Sequence, residues 1–295
     1  MTPSQLRAFH LVARESGFSG AARAAGLSQP SLSAQVKALE TAYGVRLFER
    51  QGRRVRVTEL GQGLYSITAR LFAAEDEARA LLGGALNLTR GHLRIAADSA
   101  THVMPLLARL RERHGGVTFS LRIGNSAEVL RFLLDYETDI AVMARQVSDP
   151  LLHATELRRD RLVLFVPRGH ALARRRRVPL STLAGNDIVL RERGSITREV
   201  FEQTLAGAGI QPRSLFEVQT REAVREAVAA GFGIGVVFES ELGEDPRFHG
   251  LQVADAALAV AEYAVCRREH RRSGLVRAFF DAAGDQSAPD LPAAG

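Results

Sequence analysis

The stretch Ala21-Ala22-Arg23-Ala24-Ala25-Gly26-Leu27-Ser28-Gln29-Pro30-Ser31-Leu32-Ser33 decides how this chain is read. Small residues over 20–25 spell a short helix, and Gly26 supplies the turn that ends it. Ser28 is placed to cap a second helix. Its first turn tolerates Pro30, because an N–H there has no intrahelical acceptor. Leu32, Val36 and Leu39 recur at helical spacing and form one buried stripe. The other face begins at Gln29 and Pro30 and offers Ser31, Ser33, Gln35 and Lys37, short hydrogen-bonding groups and a cation that suit base edges and phosphates. Two short helices at a tight turn, the second with a polar leading end, are the shape that enters a DNA major groove.

The flanks agree. Leu6, Phe9, Val12 and Ala13 predict a helix over 3–16, ended by Gly17, with Ser19 as cap of the helix that follows. Downstream, 45–50 and 52–58 alternate apolar and basic residues, which predicts a short hairpin, with Arg50, Arg53 and Arg54 reaching phosphates. Three-helix units occur in many proteins and a charged hairpin is often a solvated face. Here both features would face the same partner. Residues 59–88 predict one long helix, in which Leu60, Leu64, Ile67, Leu71, Ala74, Ala78 and Leu81 step by fours and threes as a heptad seam. Such a stripe needs cover, either a second copy of the helix or the chain's own second domain. A dimer suits paired half-sites.

The net charge of +6 favours an anionic partner, and 12 Lys/Arg against 7 Asp/Glu precede residue 91. Lys37 is the only lysine, the rest of the basic set being arginine. Cys266, the one cysteine, excludes an internal disulfide and a thiolate-rich metal site. No signal peptide is recognisable and no apolar run reaches about 18 residues, so a cytosolic, membrane-free protein is expected.

From residue 91 the pattern changes. Strands are predicted at 91–97, 117–123 and 138–143 with helices between them, then at 162–167, 188–191, 215–219 and 236–238 with helices over 198–208 and 221–230. A late strand at 259–267 could return to the first half, and 275–282 reads as a terminal helix. Alternation of this kind means a mostly parallel sheet, with ligands held beyond the carboxyl ends of strands. Hydroxyls, helix-start N–H groups and arginines collect there, which are donors to an oxyanion, while Glu222 or Asp98 could accept from an amine. Each Ser, Thr or Asn taken singly is also a plain helix cap. The histidines at 92, 102, 114, 153, 170, 249 and 270 lack metal-ligand spacing, and Ser195 has no evident base.

Residues 1–66 resemble the N-terminal domain of the LysR-type transcriptional regulators. The likeness rests on Leu6, Phe9, Val12, Gly17-Phe18, Ala21-Ala22, Leu27-Ser28-Gln29-Pro30, Ser33, Leu39-Glu40, Gly44, Leu47-Phe48, Arg50, Thr58 and Gly61, with mild departures at Ala25 and Leu60. The resemblance implies a winged helix-turn-helix over 1–58, a dimerising linker helix over 59–88, and an α/β sensor over 91–282. That sensor has two Rossmann-like subdomains of the type 2 periplasmic-binding-protein fold, 91–160 plus 259–282 and 161–258. A disordered tail over 283–295 is expected. The family further implies homodimers or homotetramers on double-stranded promoter DNA, RNA polymerase as a further partner, no cofactor, and an effector in the inter-subdomain cleft. Carried over, Ser99, Thr101, Asn125 and Ser126 line one wall and Arg191, Ser195, Thr197, Arg198 and Glu222 the other.

A narrower likeness, at 122–130, 165–170, 190–198 and 221–230, is to a branch associated with 2-aminoethylphosphonate catabolism. It implies a phosphonate effector for a donor-rich cleft. The alternatives are a constitutive architectural DNA binder, which has no need of a cleft-bearing domain of about two hundred residues, and an enzyme fused to a DNA-binding module.

Overall fold

The computed structural model describes residues 1–15, 17–51, 54–83, 91–256 and 258–284, with only the backbone described at 50, 51 and 54 and at several positions in 73–83. Two compact units are built on Met1–Asn87 and on Leu88–Leu134 with Thr138–Gly295.

In the first unit, α1 (Pro3–Arg14) opens with a capping box. The Gln5 N–H donates to Thr2 Oγ1 (3.3 Å), and the Thr2 N–H donates to Gln5 Oε1 (2.8 Å). Next comes α2 (Phe18–Ala25), whose cap is Gly17; the Ser19 hydroxyl donates instead to Gln29 Oε1 (3.2 Å), so the capping role expected of Ser19 is not what the structure shows. Gly26 adopts φ +64°, and α3 (Gln29–Tyr43) starts under Ser28, whose Oγ accepts from the Ser31 N–H (3.3 Å). Leu6, Phe9, Val12, Leu32, Val36 and Leu39 bury together as one core.

The hairpin is β1 (Phe48–Gln51) and β2 (Arg54–Val57), antiparallel from Phe48↔Val57 to Gln51↔Arg54. The Glu40 carboxylate anchors its base by accepting from the Leu47 (2.7 Å) and Phe48 (3.2 Å) N–H groups. The long helix α4 (Glu59–Gly83) is tied to the hairpin by Thr58, whose Oγ1 accepts from the Gly61 N–H (3.1 Å) and donates to the Arg46 carbonyl (2.9 Å). Gly61 is required, since a Cβ there would lie 2.4 Å from the Leu47 oxygen. One face of α4, with Tyr65, Thr68 and Phe72, packs on the helix-turn-helix, where the Tyr65 ring stacks on His10 at 5.0 Å. The opposite face leaves Leu60, Ile67, Leu71, Ala74 and Ala78 exposed within this unit.

The second unit runs β3 (Gly91–Ala97), α5 (Ala100–Arg113), β4 (Val117–Ile123), α6 (Ser126–Leu134), β5 (Ile140–Met143), β6 (Leu152–Pro167), β7 (Arg177–Val178), β8 (Asp187–Arg191), α7 (Ile196–Gly207), β9 (Ser214–Val218), α8 (Arg221–Ala229), β10 (Ile234–Phe238), α9 (Glu239–Leu242), β11 (Phe248–Val253), β12 (Ala259–Arg267) and α10 (Gly274–Gly284). The strand order is β4-β3-β5-β12-β6-β10-β8-β9, with β11 beside β6 and β7. Parallel trios, β4-β3-β5 and β10-β8-β9, therefore flank an antiparallel centre.

One strand serves both halves. Over 152–161 β6 pairs with β12, and over 162–167 it pairs with β10 and β11. A strand at 162–167 alone is predicted by the sequence; the structure extends it back to Leu152. The chain returns to the first half just before β12, and the Leu162 N–H donates to the Leu258 carbonyl (2.9 Å), so the two crossings are bonded to each other. Each half has its own core, one around Ile95, Leu110, Ile140 and Phe279, the other around Leu164, Ile188, Phe201 and Val236. Gly233, at φ +150°, lets β10 start against β8, where a Cβ would meet the Asp187 oxygen at 2.4 Å. The last helix includes Ala283 and Gly284, two residues into the segment expected to be a disordered tail; 285–295 lie outside the described residues.

Candidate functional site

Two places gather the polar side chains singled out by the sequence. On α3, Gln29, Pro30, Ser31, Ser33 and Lys37 are exposed and Gln35 is half-buried, while Leu32, Val36 and Leu39 are turned into the core. The polar face is therefore presented by a helix fixed on its other side. Arg50 and Arg54 stand on paired strands of the hairpin, and Arg53 lies outside the described residues.

The second place is the cleft between the two halves of the α/β unit. Ser99 is the residue before α5, is 2% exposed, and its hydroxyl donates across the cleft to Glu241 Oε1 (2.5 Å). The other oxygen of Glu241 accepts from Arg221 Nε (2.8 Å), and Arg221 Nη1 donates to the carbonyl of Asp98. At the opposite lip, Asn125 Nδ2 donates to Glu192 Oε1 (3.1 Å), the Ala127 N–H donates to the Gly194 carbonyl (3.2 Å), and Arg145 pairs with Glu199. Burial raises the Glu192 carboxyl, but the hydrogen bonds and charge of Arg191 (Nε–Oε2 2.7 Å) more than offset this and hold it below the usual carboxylate range. Phe165, Arg191, Thr197, Arg221, Arg225 and Glu241, all from the second half, line a small cavity on that side of the cleft.

The remaining expected residues fall at varied depths. Ser195 stands at the position before α7, makes no side-chain cap hydrogen bond there and is 4% exposed, and Thr197 is equally buried. Ser126 is turned away from the cleft, its hydroxyl donating to Asp98 Oδ2 (2.6 Å), which also accepts from the Ala144 N–H (2.9 Å). Asp98 is thereby used inside the fold. Arg198 is held by Glu202, Glu217 and the Arg191 carbonyl. Thr101 and Glu222 are exposed on the first turns of α5 and α8. The hydroxyl of Thr220 caps α8, accepting from the Ala223 N–H (3.1 Å).

His102 lies behind the cleft, with Nδ1 2.7 Å from Glu262 Oε1 and Nε2 2.9 Å from Ser240 Oγ. Ser240 also donates to Asp160 on the crossing strand. Burial lowers the His102 pKa, but the hydrogen bond and charge of Glu262 more than reverse this and leave it raised. Cys266 is fully buried on β12, its thiol pushed up to about 11 by burial, as suits a packed filler. Among the described residues no group of three or more His, Cys, Asp or Glu could hold a metal ion, and no helix is long and apolar enough to cross a membrane.

Residues 3–62 match the family model described as a bacterial regulatory helix-turn-helix protein of the lysR family, and 87–288 match the LysR substrate binding domain. The chain belongs to the LysR family. It is a winged helix-turn-helix followed by a mixed α/β effector-binding domain, a DNA-binding regulator and not an enzyme in design. This LysR-family chain is 33% identical over 281 residues, 93% of each protein, to the RuBisCO operon transcriptional regulator of Allochromatium vinosum. Its fold is similar to that of a full-length OxyR variant from Pseudomonas aeruginosa (TM-score 0.82, 20% identity, 99% of each chain). It is also similar to the Synechocystis PCC6803 CcmR regulatory domain in complex with 2-PG (TM-score 0.61, 23% identity, 66% of this chain and 96% of that one).

Sequence reasoning missed Glu241, Arg221 and Arg225. Glu241 sits in the acidic run 239–245, which reads as a solvated face, and only folding brings it to Ser99.

Proposed function

We propose that this LysR-family chain is a cytoplasmic regulator that binds promoter DNA as a dimer or tetramer and responds to a small anionic metabolite held between the two halves of its α/β domain. The observation that carries the reading is the convergence of oxyanion donors on one cleft. Ser99 comes from one wall and Arg221 from the other, while Arg191 and Thr197 share with Arg221 a small cavity on the second half's side. Binding there favours one angle between the halves, and the assembly then alters promoter bending or its contact with RNA polymerase. A ligand shifts such an equilibrium only by its difference in affinity for the two states. Oligomerisation is supported by the apolar stripe of α4 that the first unit leaves exposed.

Within the anionic class, 2-aminoethylphosphonate is the finer proposal, supported by the likeness of the segments at 122–130 and 190–198. It needs an acceptor for its ammonium; Glu222, exposed on the first turn of α8, is assigned that role, whereas Asp98 is buried and engaged within the fold. The molecule 2-PG, bound by the similar CcmR domain, is the second anion to try. The test starts with an operator selected from random duplexes by the full chain. Footprints on it are then titrated with 2-aminoethylphosphonate, 2-PG, inorganic phosphate and a neutral amino acid. A footprint or affinity change of threefold or more with an anion, and none with the neutral compound, is expected. An unchanged footprint with every anion overturns the anionic reading and leaves DNA binding in place.

A further inference from the structure

We propose that the carboxylate of Glu241 is a built-in stand-in for the acidic group of the effector, holding the cleft closed until an external oxyanion displaces it. The proposal rests on the anionic-effector reading above and goes further, in assigning a competitor inside the chain.

The geometry is that of a bound anion. Each oxygen of the Glu241 carboxylate has a donor, and the two donors come from opposite walls: Ser99 Oγ at 2.5 Å and Arg221 Nε at 2.8 Å. The Glu241 side chain is 5% exposed. A carboxylate so far from water needs donors to replace its lost hydration, and these two supply them. Arg221 closes the arrangement by donating to the Asp98 carbonyl on the Ser99 side. The donors an effector needs are therefore already engaged, and by a group of the same chemistry as the effector itself.

Displacement also has a route outward. Glu241 belongs to one short turn, α9, in which three successive side chains grip the centre of the unit. Glu239 pairs with Arg161 on β6, Ser240 bonds His102 and Asp160, and Glu241 bonds Ser99. The turn follows directly on β10, whose Phe238 is paired with Leu162, the first residue past the crossing. Moving Glu241 off Ser99 pulls on Ser240, and so on both crossing strands. Exchange of one oxyanion for another keeps both donors paired with a negative group. A neutral ligand offers no such exchange, which makes Glu241 a specificity device as well as a latch.

The test uses the full chain, with inorganic phosphate as probe and titration calorimetry as readout. Glu241→Gln keeps the shape and removes the competing charge; phosphate is expected to bind at least tenfold more tightly than in the wild type. Adding Ser99→Ala to that variant removes a shared donor and is expected to weaken phosphate at least threefold. Without phosphate, Glu241→Gln is expected to speed hydrogen exchange of the amides at 98–102 and 239–242 while leaving α10 protected. Should Glu241→Gln not fold, Glu241→Asp, one methylene short of Ser99, replaces it with an expected gain of threefold. Equal phosphate affinity in wild type and variant, or no phosphate binding by either, overturns the proposal. The two readings fail separately: the anionic-effector reading falls only if no anion alters wild-type operator binding.

Discussion

At the scale of the residue, the most informative group is His102. Its ring is fixed between Glu262 and Ser240, 5% of its side chain is exposed, and Glu241 and Arg158 are the other charges acting on it. Its folded pKa lies above the ordinary value, so the folded protein holds the proton more tightly than the unfolded chain does. The stabilisation is complete below the unfolded value of about 6.5 and is lost as pH climbs through the raised folded value. Wild-type stability in urea is therefore expected to fall as pH rises above about 6.5, by at most about 1.4 kcal/mol per pH unit from this one proton. His102→Gln is expected to flatten that slope; an identical slope would show that His102 is not its source. Burial raises the Glu262 carboxyl, and its Oε2 has no hydrogen-bond partner among the described residues, so the pair rests on one good bond and not on a saturated network.

At the scale of the element, α4 is the clearest case of a helix with two obligations. Tyr65, Thr68 and Phe72 satisfy one by packing on the helix-turn-helix, and Ile67 and Leu71 are 54% and 47% exposed on the other side. Replacing both with glutamate is expected to leave the fold of the first unit intact. It should move the protein to a smaller species in sedimentation velocity and weaken operator binding at least tenfold, because two half-sites are then no longer held by one particle. An unchanged sedimentation coefficient would place the assembly contacts elsewhere. The exposed part of the heptad was legible because apolar spacing survives whatever covers it; Leu64, read into the same seam, packs instead against the helix-turn-helix core. The length of β6 was not legible. Its first half, with Glu156, Arg158, Arg159, Asp160 and Arg161, carries charges on a half-exposed ladder and reads as loop, and only the second half, fully apolar from Leu162 to Val166, reads as strand. The cleft shows the same division. Ser99, Asn125 and Ser195 are visible in the sequence because they precede helices at strand ends. Glu241 and Arg221 are defined by partners 142 and 123 residues away, and no local pattern encodes such a distance.

At the scale of the whole molecule, charge is distributed unevenly, and the excess before residue 91 is where an anionic duplex would meet it. Lys37 is exposed on the polar face of α3 and is the simplest probe of that interaction. Lys37→Ala is expected to weaken operator and non-operator DNA alike. It should also reduce the slope of log affinity against log salt by about 0.9, the loss of one phosphate contact. A change confined to one base position, with the slope intact, would instead make Lys37 a base reader.

The bonded pair of crossings at Leu162 and Leu258 gives the α/β unit the mechanics of a lever. Strands lie about 4.8 Å apart, so β9, three strands from β6, stands about 14 Å from the pivot and β4, four strands away on the other side, about 19 Å. One degree of rotation then moves those outer strands by about 0.25 and 0.33 Å, while the pivot hardly moves. A ligand that shifts one carboxylate by the width of a hydrogen bond near the fulcrum is thus amplified at the two margins of the sheet. Those margins, carrying exposed Ile123 on β4 and Leu215 and Phe216 on β9, are where a neighbouring subunit would register the largest travel.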